Sequence, residues 1–171
     1  GGDSSGKGGS TTLGSNASDE KPKAGVQAMV DGYQKDSGSK VSVNTVSHND
    51  FQENINNYLN GSPDDAFTWF AGYRMRFFAA KGLAAPVDEA WETFGDNFSD
   101  AFKQASTGDD GKKYFIPNYN YPWAVFYKKS VWSAKGYEAP ETFDDLVTLC
   151  NQMKSDGITP IAFGDSDGWP A

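Results

Sequence analysis

The chain has 171 residues, a net charge of −8 and a pI near 4.5. Because phosphate binding requires a basic face, and the fifteen Lys and Arg are scattered, this composition argues against a nucleic-acid partner and suits neutral or cationic small molecules. Cys150 is the only cysteine and His48 the only histidine, which excludes an intramolecular disulfide and a Cys/His metal cluster. We therefore expect no metal and no cofactor, and His48 is the one candidate base for hydrolytic catalysis. No apolar run approaches the ~20 residues of a membrane span.

The first ten residues are rich in Gly and Ser and cannot build a core. They read GGDSSGKGGS and predict a flexible linker. A leader of this kind, directly before a folded domain, suits a protein that is tethered outside the cytoplasm. A cytosolic disordered tail and a cloning remnant are the alternatives.

Strand and helix patterns alternate through the first half of the chain. Helical spacing is clearest at Val26, Met29, Val30 and Tyr33, and strand alternation at Val41 and Val43. The predicted elements are, in order, a strand at 11–13 with a turn at 14–16, a helix at 22–35, a strand at 40–46, a helix at 50–59, a strand at 65–70 and a helix at 74–81. Such a βαβ series predicts an α/β fold with a parallel sheet covered by helices.

The second half is organised around the aromatic stretch Tyr114–Tyr127, in which seven of fourteen residues are aromatic. A helix from Thr142, capped through Asp145 and ended by Gly157, is the best signalled, and Cys150 is expected to be a small buried hydrophobe on its inner face. The other predicted elements are helices at 89–93 and 98–105, strands at 113–116 and 123–127, a helix at 128–135 and a strand at 158–163. The loop at 164–170 should lead into a further helix, so we expect the chain to be part of a longer protein.

Three segments carry a family likeness when taken in order. They are DDAFTWFAGYRMRFFAAKGLAAPVD (64–88), KKYFIPNYNYPWAVFYKKSVWSAKGYEAPETFDDL (112–146) and ITPIAFGDSDGWPA (158–171). The chain resembles the extracellular solute-binding proteins of ABC sugar importers, the family that includes maltose-binding protein. The similarity covers nearly all of residues 11–171.

The resemblance implies a periplasmic-binding-protein fold of type II, with two α/β lobes joined by crossover strands and a sugar held in the cleft between them. Residues 11–121 would form most of the first lobe, 122–127 the crossover, and 128–171 the start of an incomplete second lobe. The implied protein is a non-enzymatic, monomeric receptor outside the cytoplasm that delivers a mono- or oligosaccharide to ABC permease subunits. Its only membrane attachment would be a lipid on a cysteine outside this chain.

A neutral sugar requires aromatic platforms and fixed hydrogen-bonding groups, and ligands of open α/β sheets lie beyond the carboxyl ends of the strands. Polar and aromatic residues follow each predicted strand, whereas the apolar helix stripes contain none of them. The candidate ligand-binding residues are Asn16, His48, Asp50, Trp69, Tyr73, Arg74, Tyr119, Tyr121, Trp123, Asp165 and Trp169.

Several of these residues have structural interpretations that stay open at this point. Asp50 can simply cap its helix, and His48 can be a solvated loop residue. Trp69 shares a strand face with Phe67 and can belong to the core. Arg74 can pair with an acid such as Asp50 or Asp65.

Two other functions remain open. A glycoside hydrolase needs paired carboxylates at a defined spacing, and Asp50, Asp165 and Asp167 show no such spacing in the sequence. A receptor for another solute, such as a polyamine or a peptide, would use the same acids. The tryptophans and tyrosines near the strand ends favour a sugar.

Overall fold

The computed structural model describes residues 9–168, which form two compact units, 9–119 and 120–168. The predicted linker lies outside the described residues except for Gly9 and Ser10. Ser10 already belongs to the first strand. No helix among residues 9–168 is long and apolar enough to cross a membrane.

A three-stranded parallel sheet lies at the centre of the first unit. Its strands are β1 Ser10–Ser15, β2 Lys40–Thr45 and β3 Ala66–Phe67, in the order β2-β1-β3. Both pairings of β1 are parallel. Leu13 of β1 lies opposite Val43 of β2 on one side and Ala66 of β3 on the other. The predicted α/β fold with a parallel sheet is confirmed.

Helices flank this sheet. In the first unit they are α1 Glu20–Ser37, α2 His48–Glu53, α3 Ile55–Asn60, α4 Tyr73–Ala80, α5 Asp88–Phe94 and α6 Asp100–Ala105, with a 3-10 turn at Gly95–Asn97 between the last two. The core consists of Phe51, Ile55, Leu59 and Phe78, against which Tyr58, Phe67, Trp69 and Leu83 pack. Side chains of α2, α3 and α4 therefore meet in one aromatic-rich cluster.

Three predictions for the sheet and for the helix between its second and third strands were wrong in detail. The predicted turn at 14–16 begins too early, because β1 pairs with β2 through Ser15. The predicted helix 50–59 is divided at Asn54, where the backbone departs from helical geometry (φ −102°, ψ 8°) and the side-chain Nδ2 donates to the carbonyl oxygen of Asp50 at 3.0 Å. The third strand has two residues instead of six, although the amide of Thr68 still donates to the carbonyl of Gly14 at 3.0 Å.

Gly14 in β1 lies close to a cluster of three side chains, those of Asn44, Tyr58 and Asp64. A Cβ added at Gly14 would collide with Tyr58 Oη and would lie 2.7 Å from Asp64 Oδ2. Tyr58 donates to Asp64 Oδ2 at 2.6 Å, and Asn44 Nδ2 of β2 donates to Asp64 Oδ1 at 2.5 Å. Burial, and then the Asp64 carboxylate, raise the pKa of Tyr58 to about 12. Burial acts to raise the pKa of Asp64 too, but the hydrogen bonds that its carboxylate accepts hold this pKa below its usual value.

The second unit contains α7 Lys129–Lys135 and α8 Phe143–Ser155. Its core is formed by Tyr137, Leu149 and Met153, with Trp132 and Ile158 packed against it. The predicted capping box of α8 is confirmed, since Asp145 N donates to Thr142 Oγ1 at 3.1 Å and Thr142 N donates to Asp145 Oδ2 at 3.2 Å. The buried face of α8 includes Leu149, whereas Phe143, the first residue of the helix, is 76% exposed. Cys150 is only half-buried.

The strands predicted at 113–116, 123–127 and 158–163 are absent. Residues 114–128 and 161–165, all of which the structure describes, form neither helix nor strand, and Lys113 makes only an isolated antiparallel bridge to Thr107. A strand requires a neighbouring strand to pair its backbone groups. No segment among residues 9–168 supplies that pairing.

Candidate functional site

Polar side chains from three strand ends meet in the first unit. Asn16 directly follows β1, His48 opens α2 after β2, and Thr68 directly follows β3. Because the strands are parallel, their carboxyl ends lie at the same edge of the sheet. The predicted convergence of Asn16 and His48 at this edge is therefore present in the structure.

A continuous set of polar contacts, here called the strand-end network, links Thr68, Asn16, His48, Gln52 and Arg74. Thr68 Oγ1 lies 2.9 Å from Asn16 Oδ1, and Asn16 Nδ2 lies 3.3 Å from His48 Nδ1. On its other side His48 Nε2 lies 2.7 Å from Gln52 Nε2. Arg74 NH1 then donates to Gln52 Oε1 at 3.0 Å. The network thus connects all three strand ends to the first turn of α4.

The start of α2 holds His48 in place. The backbone amide of His48 donates to Ser18 Oγ at 3.0 Å, and its ring meets Phe70 edge to face at 6.4 Å. Ser47 caps the helix by accepting from the backbone amide of Asp50 at 3.3 Å. Asp50 is therefore not the cap. It is an exposed first-turn acid, a position at which the helix dipole favours negative charge.

Arg74 lies against two aromatic rings. Its guanidinium carbon is 4.6 Å from the ring centroid of Trp69 and 4.3 Å from that of Phe70. Such cation–π contacts orient the guanidinium without neutralising it. Asp65, one of the acids considered as a partner of Arg74, instead accepts from the backbone amide of Thr12 at 2.8 Å.

Trp69 connects this site to the core. Its ring packs against Phe51 and Phe78 at centroid distances of 6.2 and 5.6 Å, and its Nε1 lies 3.4 Å from the carbonyl oxygen of Arg74. The interpretation of Trp69 as a core residue is thus supported, and its contact with the guanidinium makes it a support for Arg74 as well. Tyr73, the first residue of α4, immediately precedes Arg74 in the chain and is 75% exposed.

The remaining predicted site residues lie elsewhere along the chain. Tyr119, Tyr121 and Trp123 are exposed in the irregular segment 114–128, and Asp165 is exposed near the end of the second unit. Trp169 lies outside the described residues. For these five residues, as for the other six, the role in ligand binding stays a prediction.

Sequence reasoning missed Gln52, Thr68 and Phe70. Gln52 is buried, with 6% of its surface exposed, yet it contacts both His48 and Arg74. A signal existed, because His48 and Gln52 are four residues apart and lie on the same face of one helix. The helix was predicted to begin two residues too late, which left His48 in a loop and concealed this relation.

An open groove of about 360 Å³ lies beside the network and is bordered by Ser18, Asp19, Ser47, His48 and Asn49. Its volume is at the lower end of the range for small-molecule sites. The groups that border the groove are hydroxyls, an amide, an imidazole and the Asp19 carboxylate. These groups can donate to and accept from the hydroxyls of a neutral ligand. Among residues 9–168 no cluster of His, Cys, Asp and Glu could hold a metal ion.

Comparison with known proteins gives a consistent result. The family model of the bacterial extracellular solute-binding proteins matches residues 16–171. An ABC transporter extracellular-binding protein of Pyrococcus horikoshii is 30% identical over 117 residues, and the periplasmic alpha-glucoside-binding protein AglE of Rhizobium meliloti is 31% identical over 126 residues. These alignments cover 66% and 65% of the chain.

A solved structure resembles the chain more strongly. The bacterial solute receptor AcbH, described as having an exclusive substrate preference for β-D-galactopyranose, is 51% identical with a TM-score of 0.78 over 94% of the chain. This similarity confirms the expected solute-binding fold of type II. The chain spans 41% of that receptor and 26% and 27% of the two curated relatives.

Proposed function

The chain belongs to the bacterial extracellular solute-binding protein family, and we propose that the complete protein captures a sugar outside the cytoplasm and delivers it to the permease of an ABC transporter. Its action would be binding and release, without chemical turnover. The strand-end network is the observation that carries the sugar assignment, because it gathers hydrogen-bonding groups beside aromatic rings at the ligand edge of the sheet.

The ligand that we propose first is a monosaccharide, with β-D-galactopyranose as the leading candidate. The 51% identity with AcbH over almost the whole chain supports this choice, since AcbH is described as preferring that sugar exclusively. The identity with AglE is lower and extends over a smaller part of the chain, which makes an alpha-glucoside the second candidate to test.

The chemistry of the network favours a neutral ligand over a polyamine. Asn16 and Gln52 carry neutral amides, and Arg74 adds a positive charge close to His48. A polyamine is a cation and requires carboxylates for recognition, and a positive guanidinium beside it would oppose binding. A sugar hydroxyl can accept a hydrogen bond from this guanidinium without such a cost.

Isothermal titration calorimetry of the full-length protein tests the proposal. We expect saturable binding of β-D-galactopyranose, with weaker or no binding of D-glucose, maltose, spermidine and short peptides. Binding of spermidine or a peptide without any sugar would refute the assignment. Hydrolysis of a galactoside, abolished in Asp165→Asn, would refute the non-enzymatic role.

Further properties of the complete protein belong to the same proposal. We propose a monomer that is anchored to the membrane by a lipid on a cysteine ahead of the Gly/Ser-rich residues 1–10. Metabolic labelling with a fatty acid, followed by size-exclusion chromatography, tests both statements. The lobe boundaries implied by the resemblance, 11–121, 122–127 and 128–171, stay a prediction.

A further inference from the structure

We propose that Gln52 is a positioning residue that fixes His48 as the neutral tautomer protonated on Nδ1 and thereby orients Asn16 and Arg74. The tautomer follows from the contacts of the first unit alone. Its consequence for sugar affinity rests on the proposed function.

The orientation of the Gln52 amide is set by Arg74. A guanidinium carries only donors, so the atom of Gln52 that faces Arg74 NH1 at 3.0 Å must be the carbonyl oxygen Oε1. The amide nitrogen of Gln52 then lies 2.7 Å from His48 Nε2. Because Gln52 is buried, both halves of its amide depend on protein partners of this kind.

The Gln52 amide in turn selects one form of His48. An amide nitrogen can only donate, and therefore His48 Nε2 must accept. A neutral imidazole that accepts at Nε2 carries its proton on Nδ1. A doubly protonated ring and the tautomer protonated on Nε2 both carry an Nε2–H. In either form this N–H would face the Gln52 amide hydrogens, and two donors would oppose each other.

The same logic reaches Asn16. Its amide nitrogen Nδ2 lies 3.3 Å from His48 Nδ1, whereas a protonated Nδ1 requires an oxygen at that position. Rotating the Asn16 amide by 180° exchanges its oxygen and nitrogen, a choice that is made from hydrogen-bond partners. Oδ1 then accepts from His48, and Nδ2 donates to Thr68 Oγ1, which can take either role at 2.9 Å.

With these assignments every contact in the strand-end network pairs a donor with an acceptor. The donors point in one direction, from Arg74 through Gln52, His48 and Asn16 to Thr68. Hydrogen bonds aligned in this way strengthen one another. Gln52 thus determines how the guanidinium and the Asn16 amide are presented to a ligand before it arrives, which reduces the ordering cost of binding.

Nitrogen-15 NMR of the His48 imidazole tests the tautomer in the sugar-free protein, with the resonances assigned by their loss in His48→Gln. We expect the proton on Nδ1 in the unmodified protein. In Gln52→Glu a carboxylate accepts from both Arg74 and His48, so the proton should move to Nε2. An Nε2 proton in the unmodified protein, or a ring that carries no Nε2 proton in Gln52→Glu, overturns the proposal.

Titration with β-D-galactopyranose then tests the positioning role. We expect Gln52→Met to mix the two tautomers and to weaken affinity about tenfold, while Gln27→Met, which removes an exposed amide from α1, leaves both unchanged. Unchanged tautomer and affinity in Gln52→Met overturn the role. If Gln52→Met does not fold, the position of the His48 proton in Gln52→Glu, measured by nitrogen-15 NMR, decides whether Gln52 controls the tautomer. If the unmodified protein binds no sugar, the proposed function fails, and the tautomer in the sugar-free protein still decides the assignment of Gln52.

Discussion

The guanidinium carbon of Arg74 lies 4.3 Å from the ring centroid of Phe70, while the same group donates to Gln52 at 3.0 Å. Arg74 is thus held from its face and from its edge by two different elements of the fold. A planar group that is fixed in both ways has little rotational freedom left to lose on binding. These contacts therefore present the Arg74 guanidinium to a ligand in a defined orientation.

The first prediction concerns the shape of this cation. Arg74→Lys keeps the charge but cannot lie flat on an aromatic face while donating from its edge. We expect the affinity for β-D-galactopyranose to fall about tenfold or more, the equivalent of about 1.4 kcal/mol. Arg76→Lys is the matched control. Arg76 is on the same helix, but its Nε forms an ion pair with Asp109 Oδ1 at 3.8 Å and it is not part of the strand-end network. Equal affinities of the two variants in calorimetry would contradict the prediction.

A second prediction concerns Tyr73, the exposed aromatic residue beside Arg74. With 75% of its surface exposed, its ring is available for stacking on the apolar face of a sugar. Tyr73→Ala should therefore weaken sugar binding with little change in the free energy of unfolding. Tyr33→Ala removes a tyrosine of similar exposure, 55%, from α1 and should leave the affinity unchanged. Loss of affinity in both variants would point to a general surface effect instead.

Local sequence signals predicted local structure well. The capping box of Thr142 and Asp145 and the alternation of Val41, Val43 and Thr45 are both confirmed. In the capping box the interacting groups lie three residues apart, so that the sequence contains the whole interaction. In β2 the period of two alone predicts which side chains share a face. The convergence of Asn16 and His48 was also predictable, because parallel strands bring their ends together.

The strand predictions near Trp123 and Phe163 failed for a different reason. Their aromatic and β-branched residues suit a pleated, half-buried surface, but propensity does not supply the neighbouring strand. Trp123 is 78% exposed and Phe163 is 61% exposed. A pairing partner is a property of the tertiary structure, which no window of sequence around these residues contains.

The third prediction uses Gly14 to test the packing between β1 and Tyr58. In Gly14→Ala the added methyl group collides with Tyr58 Oη, which is held by Asp64 and cannot move without breaking that hydrogen bond. We expect a loss of about 2 kcal/mol or more in the free energy of unfolding, in the range of overpacked cores. Gly32→Ala is the control, since apart from the backbone of α1 itself and the adjacent residues no atom lies within 4 Å of its added Cβ. It should stabilise by about 0.5–1 kcal/mol. Urea unfolding measures both, and a stable Gly14→Ala would show that this packing is loose.

The fourth prediction tests the cap of α8. Thr142→Ala removes the acceptor of the Asp145 amide at 3.1 Å and should cost about 1 kcal/mol of stability in the second unit. Thr148→Ala, at an exposed position inside the same helix, should be neutral or slightly stabilising because alanine has the higher helix propensity. Amide hydrogen exchange of α8 distinguishes the two. Equal protection in both variants would mean that the capping box does not limit local opening.

The last prediction follows the ionisation of Tyr58. Its pKa is raised from 10.0 to about 12 in the folded protein, first by burial and then by the hydrogen bond to Asp64. A group whose pKa is raised on folding contributes stability that is complete below the unfolded value and is lost as the pH rises through the folded one. The free energy of unfolding should therefore decline between pH 10 and about pH 12.

Tyr58→Phe should remove this alkaline decline, because the phenol that ionises is gone. Tyr137 has a pKa that is also raised to about 12, by its hydrogen bond to Asp156, and it belongs to the second unit. Tyr137→Phe is therefore the matched control. It should reduce the alkaline decline in the free energy of unfolding that is measured by probes in the second unit, and leave the decline in the first unit unchanged. Urea unfolding at pH 9 and pH 11 separates the contributions. A decline in the first unit that persists unchanged in Tyr58→Phe would assign it to another group.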